Sequence, residues 1–321
     1  MSSVPLAQSL EGTRRIRDRL GDRLLFLLTL LASLAAIAIM VAIAYKVLRG
    51  AEVSFRAFGF SFLKSTAWDV NKAVFGAAPG LYGTAVTSLI ALLVAGPLAI
   101  AIALFLSELA PRWVRGVVGS LVEMLAAIPS VVLGLWGILV MGPFLANHLE
   151  PWLHGWFGFV PIFSGDPSAS GVLVAGLILA IMIVPIVASV CRELFLAVPQ
   201  ELEEGALALG ATRWEMVRGV VLSSSRPGVA AALILGLGRA LGEAIAVTQV
   251  IGAGWWIHTS LFDPGDTLAS RIAAQFQGAQ TNVQTSSLFY LAAILLVIGL
   301  VTNLAAQAIV RRFEFQRTGA D

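Results

Sequence analysis

The stretch Pro199-Gln200-Glu201-Leu202-Glu203-Glu204-Gly205-Ala206-Leu207-Ala208-Leu209-Gly210-Ala211-Thr212-Arg213-Trp214-Glu215 reads as a short amphipathic helix set between long apolar runs. Pro199 is followed by three acids, Glu201, Glu203 and Glu204, which suit the positive end of a helix dipole. Leu202, Ala206 and Leu209 recur at spacings of four and three, so they share one apolar face. Gly210 then supplies a natural stop. The stretch belongs to a connection, 192–227, far longer than a turn needs, and long ordered connections usually carry function.

Composition says what surrounds that connection. The chain has 321 residues, 58% hydrophobic and 12% charged, and its mean hydropathy is +0.88. An ordinary soluble domain is about 25% charged, so this chain cannot cover a water-facing surface. Its solvent is the bilayer. Secreted disulfide frameworks, collagen and disorder are excluded. Cys191 stands alone and can form neither an internal disulfide nor a cysteine-rich metal site. A net charge of +2, from 21 basic and 19 acidic residues, gives no reason to expect a nucleic-acid partner.

A hydrocarbon core about 30 Å thick takes about 20 helical residues to cross. Six runs qualify: Leu24–Tyr45, Thr84–Leu106, Gly116–Met141, Ser170–Cys191, Gly228–Gly252 and Ser287–Val310. The third carries Glu123 and Pro129, the fourth Pro185, and the fifth Arg239 and Glu243; the others are free of charge. No run alternates with period two, which argues against a barrel. The expected fold is an all-α integral membrane protein of six transmembrane helices. It divides into an Arg-rich N-terminus 1–23, an anchor helix 24–48, an outer loop 49–83, a core 84–310 that includes the connection 192–227, and a tail 311–321. The first apolar run is longer than a signal-peptide core, so it reads as an uncleaved anchor.

Loops rich in Lys and Arg stay on the cytoplasmic side. One set of loops holds 14 of the basic residues: Arg14, Arg15, Arg17, Arg19, Arg23, Arg112, Arg115, Arg192, Arg213, Arg218, Arg226, Arg311, Arg312 and Arg317. The other set holds 6: Lys46, Arg49, Arg56, Lys64, Lys72 and Arg271. Both termini are therefore expected in the cytoplasm. Trp68, Trp152, Trp156, Trp255 and Trp256 fall in the outer loops, and the aromatic segment Pro143–Pro161 reads as lying on, or dipping into, the outer leaflet, as an anchor rather than for ligand recognition. The Arg-rich N-terminus serves orientation alone or also rests on anionic lipid headgroups.

The opening motif now has a setting. Glu204-Gly205-Ala206, three residues, Gly210, nine residues and Val220-Val221-Leu222 resemble the EAA loop of ABC-importer permeases. Gly205 stands where that family has a second Ala, and Ser223 where it has Pro; the spacing is intact, and Gly205 lowers helix propensity by about 1 kcal/mol. Further segments are similar to the PstC-type permeases of phosphate importers: 75–79 with 82–84, 103–108, 123–137, 237–247 and 260–267. The resemblance extends from about residue 60 to the C-terminus. It implies a type I ABC importer permease that carries inorganic phosphate, and a coupling helix formed by Glu201, Glu204, Gly205, Ala206, Leu209 and Gly210 that docks on an ATPase. It also implies partners: a PstA-like second permease, two PstB-like ATPase subunits that bind ATP and Mg, an external PstS-like phosphate-binding protein, and membrane lipid. By the same resemblance the home membrane is the prokaryotic cytoplasmic one.

Arg239 and Glu243 lie one helical turn apart. A central membrane charge costs about 2.5–3.5 kcal/mol on insertion scales, so both should face protein or water. A guanidinium stays protonated and offers donors matched to a tetrahedral oxyanion. Arg239 is thus the candidate phosphate contact and Glu243 its modulator; the alternative is an ion pair that only holds two subunits together. Gly238 and Gly242 have the spacing of a helix-packing pair. Glu123 either snorkels to the interface or lines the inner pathway. Pro129 frees helix carbonyls, and Ser130 either satisfies them in a packing kink or touches the pathway.

The chain lacks a nucleotide-binding loop: none of Lys46, Lys64 and Lys72 follows a glycine. His148, His154 and His258 fall in outer loops without a helical metal spacing, and no nucleophile elbow is present. A non-catalytic subunit without bound cofactor or metal is expected. A permease for another oxyanion, molybdate or sulfate, remains compatible with the charges. A secondary anion transporter also accounts for Arg239 and Glu243 but leaves the docking motif without a purpose, and an intramembrane hydrolase lacks its nucleophile and base.

Overall fold

The computed structural model describes the backbone of residues 6–318 and the side chains of residues 21–309. The side chains of Arg14, Arg15, Arg17, Arg19, Arg311, Arg312 and Arg317, on which part of the orientation rests, lie outside the described residues. The chain divides into two compact units, residues 1–49 and 50–321. The first is helix α1 (Leu6–Gly50) up to Arg49. Its segment Gly21–Gly50 is apolar and long enough to cross a bilayer, and contains the expected run Leu24–Tyr45.

The second unit opens with α2 (Glu52–Phe58) and a 3-10 turn, Gly59–Leu63. A minimal antiparallel hairpin follows, β1 (Trp68–Asp69) and β2 (Val74–Phe75), with Trp68 opposite Phe75. α3 (Ala78–Leu104) continues through a π-turn to Leu109. After α4 (Arg112–Ala126), the third span is composite: α5 (Ser130–Trp136), α6 (Gly142–Phe144) and α7 (Glu150–Phe157) are joined by π-turns. Then come α8 (Val172–Leu196), α9 (Gln200–Ala208), α10 (Arg213–Met216), α11 (Leu222–Gly242), α12 (Ile245–Val250), α13 (Leu268–Gln275) and α14 (Asn282–Thr318). Six helical stretches of the described residues are long and apolar enough to span. The all-α, six-span expectation holds.

α8 is the central post. Of its most apolar window 78% is buried, against 22–33% for the other four spans of this unit, so α8 faces protein while they keep faces for lipid or other chains. Lipid is as apolar as leucine, so close packing rather than water exclusion joins such helices, and small residues permit it. α3 presents Ala91, Ala95, Ala99 and Ala103, all fully buried at a spacing of four. From α8, Gly176 lies so near Ile90 that a Cβ there would come within 2.7 Å of the isoleucine side chain. α11 approaches α8 in the same way at Gly236, where a Cβ would meet Val187 at 2.7 Å. Pro185 sits within α8 without breaking it.

Two spans differ from expectation. The run 116–141 is not one helix: α4 ends at Ala126, and Pro129 (ψ 138°) caps α5, because the residue before a proline is driven from helical backbone. Pro129 therefore separates two helices rather than kinking one. Glu123 lies on α4, outside the third span, which runs instead over Ser130–Phe157. The aromatic segment expected as an outer loop is thus helical as far as Phe157, and Trp152 and Trp156 belong to α7. The run 228–252 also breaks, since α11 stops at Gly242 and Glu243 is extended (ψ 119°) before α12 begins.

Candidate substrate pathway and docking helix

The break after α11 is held by the side chain that sits in it. Glu243 Oε1 accepts the backbone N–H of Ala246, 3.3 Å away, and so takes an orphan donor of the first turn of α12. Its other oxygen lies 3.4 Å from Arg239 Nη2. The two partners are unlike: the Glu243 side chain is 6% exposed and that of Arg239 is 51% exposed. Glu243 is enclosed, and the Arg239 guanidinium reaches out from it. The guanidinium opens into a cavity of about 920 Å³ between α8, α11 and α14, lined among others by Ile186, Ile234, Leu235 and Gly238. A permanent cation, half exposed in a largely apolar cavity, has donors that an anion could take.

The other residues expected on the pathway are not gathered there. α5 packs on α12 through Gly134, where a Cβ would approach the Cα of Ala246 at 2.8 Å, but Ser130 is not among the residues that line the Arg239 cavity. Glu123 is exposed on α4 and stands 3.9 Å from Arg192 Nη1 of α8. Gly119 makes room for that arginine, whose Nη1 would lie 3.2 Å from a Cβ. Glu123 thus belongs to a bridge between α4 and α8. Gly238 and Gly242, expected to pack helices, have open space where a Cβ would stand; within this chain Gly236 makes the close approach instead.

At the end of the bundle that carries α4, α9 forms with Pro199 as its N-cap. It closes in a Schellman turn: Gly210 (φ +89°) donates to Leu207 O at 3.0 Å and Ala211 donates to Ala206 O at 3.1 Å. The expected stripe divides. Ala206 packs against the chain's own core beside Phe195, Val198 and Val221, whereas Leu202 and Leu209 are exposed, Leu209 by 92%, joined by Leu207 and Trp214. Burial, with Glu108 and Glu204 nearby, raises the Glu203 carboxyl above its usual range. Thr212 and Glu215 form a capping box that starts α10. α9 therefore turns Ala206 toward the bundle and points its leucines outward.

Residues 97–315, which take in α9 and the Arg239 cavity, match the family described as binding-protein-dependent transport system inner membrane component. Over almost its whole length the chain is 40% identical to the phosphate transport system permease protein PstC of Pasteurella multocida, over 306 residues that cover 94% of this chain and 95% of that one. The PstC of Mesorhizobium japonicum is also 40% identical, over 322 residues, 99% of this chain and 98% of that one. The chain belongs to the PstC permease family. A chain of the bacterial alginate ABC transporter, solved in complex with an alginate pentasaccharide-bound periplasmic protein, aligns with a TM-score of 0.57 over 92% of the PstC-family chain and 97% of its own, at 20% identity. The fold is that of type I ABC importer permeases, and the chain is a multi-pass membrane protein.

One feature of this PstC-family chain escaped the sequence reading. Arg271, there only a charge in a loop, is buried at the hairpin end of the bundle, its Nε 2.8 Å from Asp266 Oδ2. The guanidinium carbon lies 4.2 Å from the Trp255 ring centroid and 5.6 Å from that of Trp68. Asp266 accepts the N–H of Thr267 at 2.9 Å and the hydroxyl of Ser270. Burial raises the Asp266 carboxyl, against the pull of Arg271 and these donors, and lowers Arg271. Thr267 and Ser270 cap α13, and Trp68 Nε1 donates to Gln275 at 2.8 Å. Thr84 of α3 accepts the N–H of Leu268 at 3.0 Å. The cluster binds hairpin, α3 and α13 into one block. The signal that points to it is Thr267 three residues before Ser270, with Asp266 just ahead, Arg271 just after and Trp255-Trp256 upstream in sequence.

Proposed function

We propose that this chain is the phosphate-translocating permease of an ATP-driven importer in the prokaryotic cytoplasmic membrane, with both termini and α9 in the cytoplasm and the hairpin end outside. The observation that carries this reading is the half-exposed Arg239, tethered to a buried Glu243 in a cavity of a PstC-family chain. Phosphate entering the cavity meets a guanidinium that is always charged and forks toward two oxygens. Glu243 competes for the same guanidinium and so keeps the anion from being held too long.

The chain supplies the path and its partners supply the energy. A PstS-like binding protein delivers phosphate at the hairpin end, a PstA-like permease completes the pathway, and two PstB-like subunits bind ATP and Mg. Leu202, Leu207 and Leu209 give α9 an apolar face for an ATPase cleft, with Glu201 and Glu204 beside it. Four residues separate α9 from α10, which runs on through a π-turn into α11. From Arg213 to Arg239 is about 39 Å of helix at 1.5 Å per residue, so a push on α9 reaches the cation along a single lever. ATP must favour the closed arrangement through tighter binding, since only differential affinity shifts such states.

Reconstitution in proteoliposomes with the partner subunits tests the reading. Labelled phosphate should accumulate only with ATP and the binding protein, and excess sulfate or molybdate should not compete. Uptake driven by an ion gradient without ATP would overturn it, and preferential uptake of sulfate or molybdate would reassign the cargo.

A further inference from the structure

We propose that Thr302, Asn303 and Gln307 of α14 form, with Arg239, the inward half of the phosphate path. This inference rests on the phosphate-import reading and names the residues that take the anion over from the arginine. From Leu291 to Ile309 these three are the polar side chains of an otherwise apolar helix. At 100° per residue, Gly299, Thr302, Asn303, Ala306 and Gln307 fall within an arc of about 140°. All five line the Arg239 cavity. Asn303 and Gln307 are exposed, and none of the three polar side chains has a hydrogen-bond partner among the described residues.

Carboxamides without partners do not face acyl chains at membrane depth; they face protein or water. The cavity gives them water and an anion. Its small residues keep it open: Gly238 and Gly299 line it from opposite helices, and a Cβ on either would meet nothing within 4 Å. α11 and α14 are successive spans that run in opposite directions, so Ala231 and Gln307 mark one end of the cavity, and Arg239 and Gly299 the other. Eight residues separate the levels on each helix, about 12 Å, directed toward the α9 end. Charge falls along that line, from a guanidinium to a hydroxyl and two carboxamides. A path must bind its ion well enough to admit it and weakly enough to release it, and neutral donors after a cation provide that step down.

The test uses the full importer in proteoliposomes, with Cys191→Ala removing this chain's one cysteine and labelling read on this chain's own band. Asn303→Cys and Gln307→Cys should react with a charged, membrane-impermeant methanethiosulfonate, and inorganic phosphate should slow the reaction. Val301→Cys, on the opposite side of α14, should not react. Asn303→Leu with Gln307→Leu should lower uptake at least about tenfold, the scale of a lost hydrogen bond to a charged group, while the complex assembles and ATPase activity persists. Cysteines that fail to react, or that phosphate does not protect, overturn the assignment to α14, as does normal uptake by the double leucine variant. Arg239→Gln measured alongside separates the two levels. If it abolishes uptake while the α14 variants transport normally, only the α14 inference fails; if it too transports normally, the phosphate contact proposed for Arg239 fails with it.

Discussion

Two arginines of this chain each pair with a carboxylate a few residues away, and they are held in opposite ways. Arg271 is enclosed: Asp266 holds it at 2.8 Å, Trp255 covers its face, and only 8% of its side chain is exposed. Arg239 stands 3.4 Å from Glu243 with half its side chain open to a cavity. A guanidinium enclosed by a carboxylate and two indole rings holds its surroundings together, and one left half open has donors within reach of a ligand. What separates the two is how far each is enclosed.

The comparison breaks most readily at Arg271. Arg271→Ala leaves Asp266 buried and unpaired, which typically costs about 3–5 kcal/mol, so thermal unfolding of the purified complex should shift sharply downward. The pH dependence has a definite sign. Burial already raises the Asp266 carboxyl, and without the arginine nothing of opposite charge restrains that shift. The folded state then binds the proton more tightly than the unfolded chain, so the variant should regain stability as pH falls through the raised value and lose it as pH rises. A shift no larger than that of a surface substitution would make Arg271 dispensable. Trp255→Leu should be milder, about 1–2 kcal/mol from loss of the ring beneath a desolvated cation. Equal unfolding curves would remove the indole from the lock.

How far these roles could be read from the sequence depends on how local their causes are. Arg239 and Glu243 were legible because charge in an apolar run costs free energy and must be explained. α9 was legible from Pro199, its acids and Gly210, all local signals, but the sharing of its stripe was not: Ala206 turns inward toward Phe195 and Val221, and only tertiary packing decides that. The separation of α4 from α5 was written in Ile128-Pro129, yet the hydropathy of the run 116–141 hid it. The break at Glu243 has no proline to announce it; a carboxylate reaching the N–H of Ala246 makes it. Arg271 was missed because a basic residue in a loop reads as topology until Trp68, Trp255 and Asp266, distant in part along the chain, close around it.

Two smaller effects sharpen the contrast between lock and lever. Gly210→Ala forces a side chain into left-handed backbone at φ +89° and should cost about 1 kcal/mol. The loss should appear as weaker binding of the ATPase subunits in co-purification, while the hairpin end keeps its protease resistance; unchanged binding would detach α9 from coupling. Arg239→Gln should change stability less than Arg271→Ala, since the arginine is half exposed and a glutamine amide can still donate to the buried Glu243. Unfolding as damaged as that of Arg271→Ala would mean that the two arginines are both locks.

The decisive measurement is labelled-phosphate uptake by reconstituted importer carrying Arg239→Gln, compared with wild type at equal assembly and equal ATPase content. The account predicts that the variant complex assembles, unfolds at nearly the wild-type temperature and transports at least about tenfold more slowly, as expected when a charged hydrogen bond to the anion is lost. Uptake at the wild-type rate would contradict it.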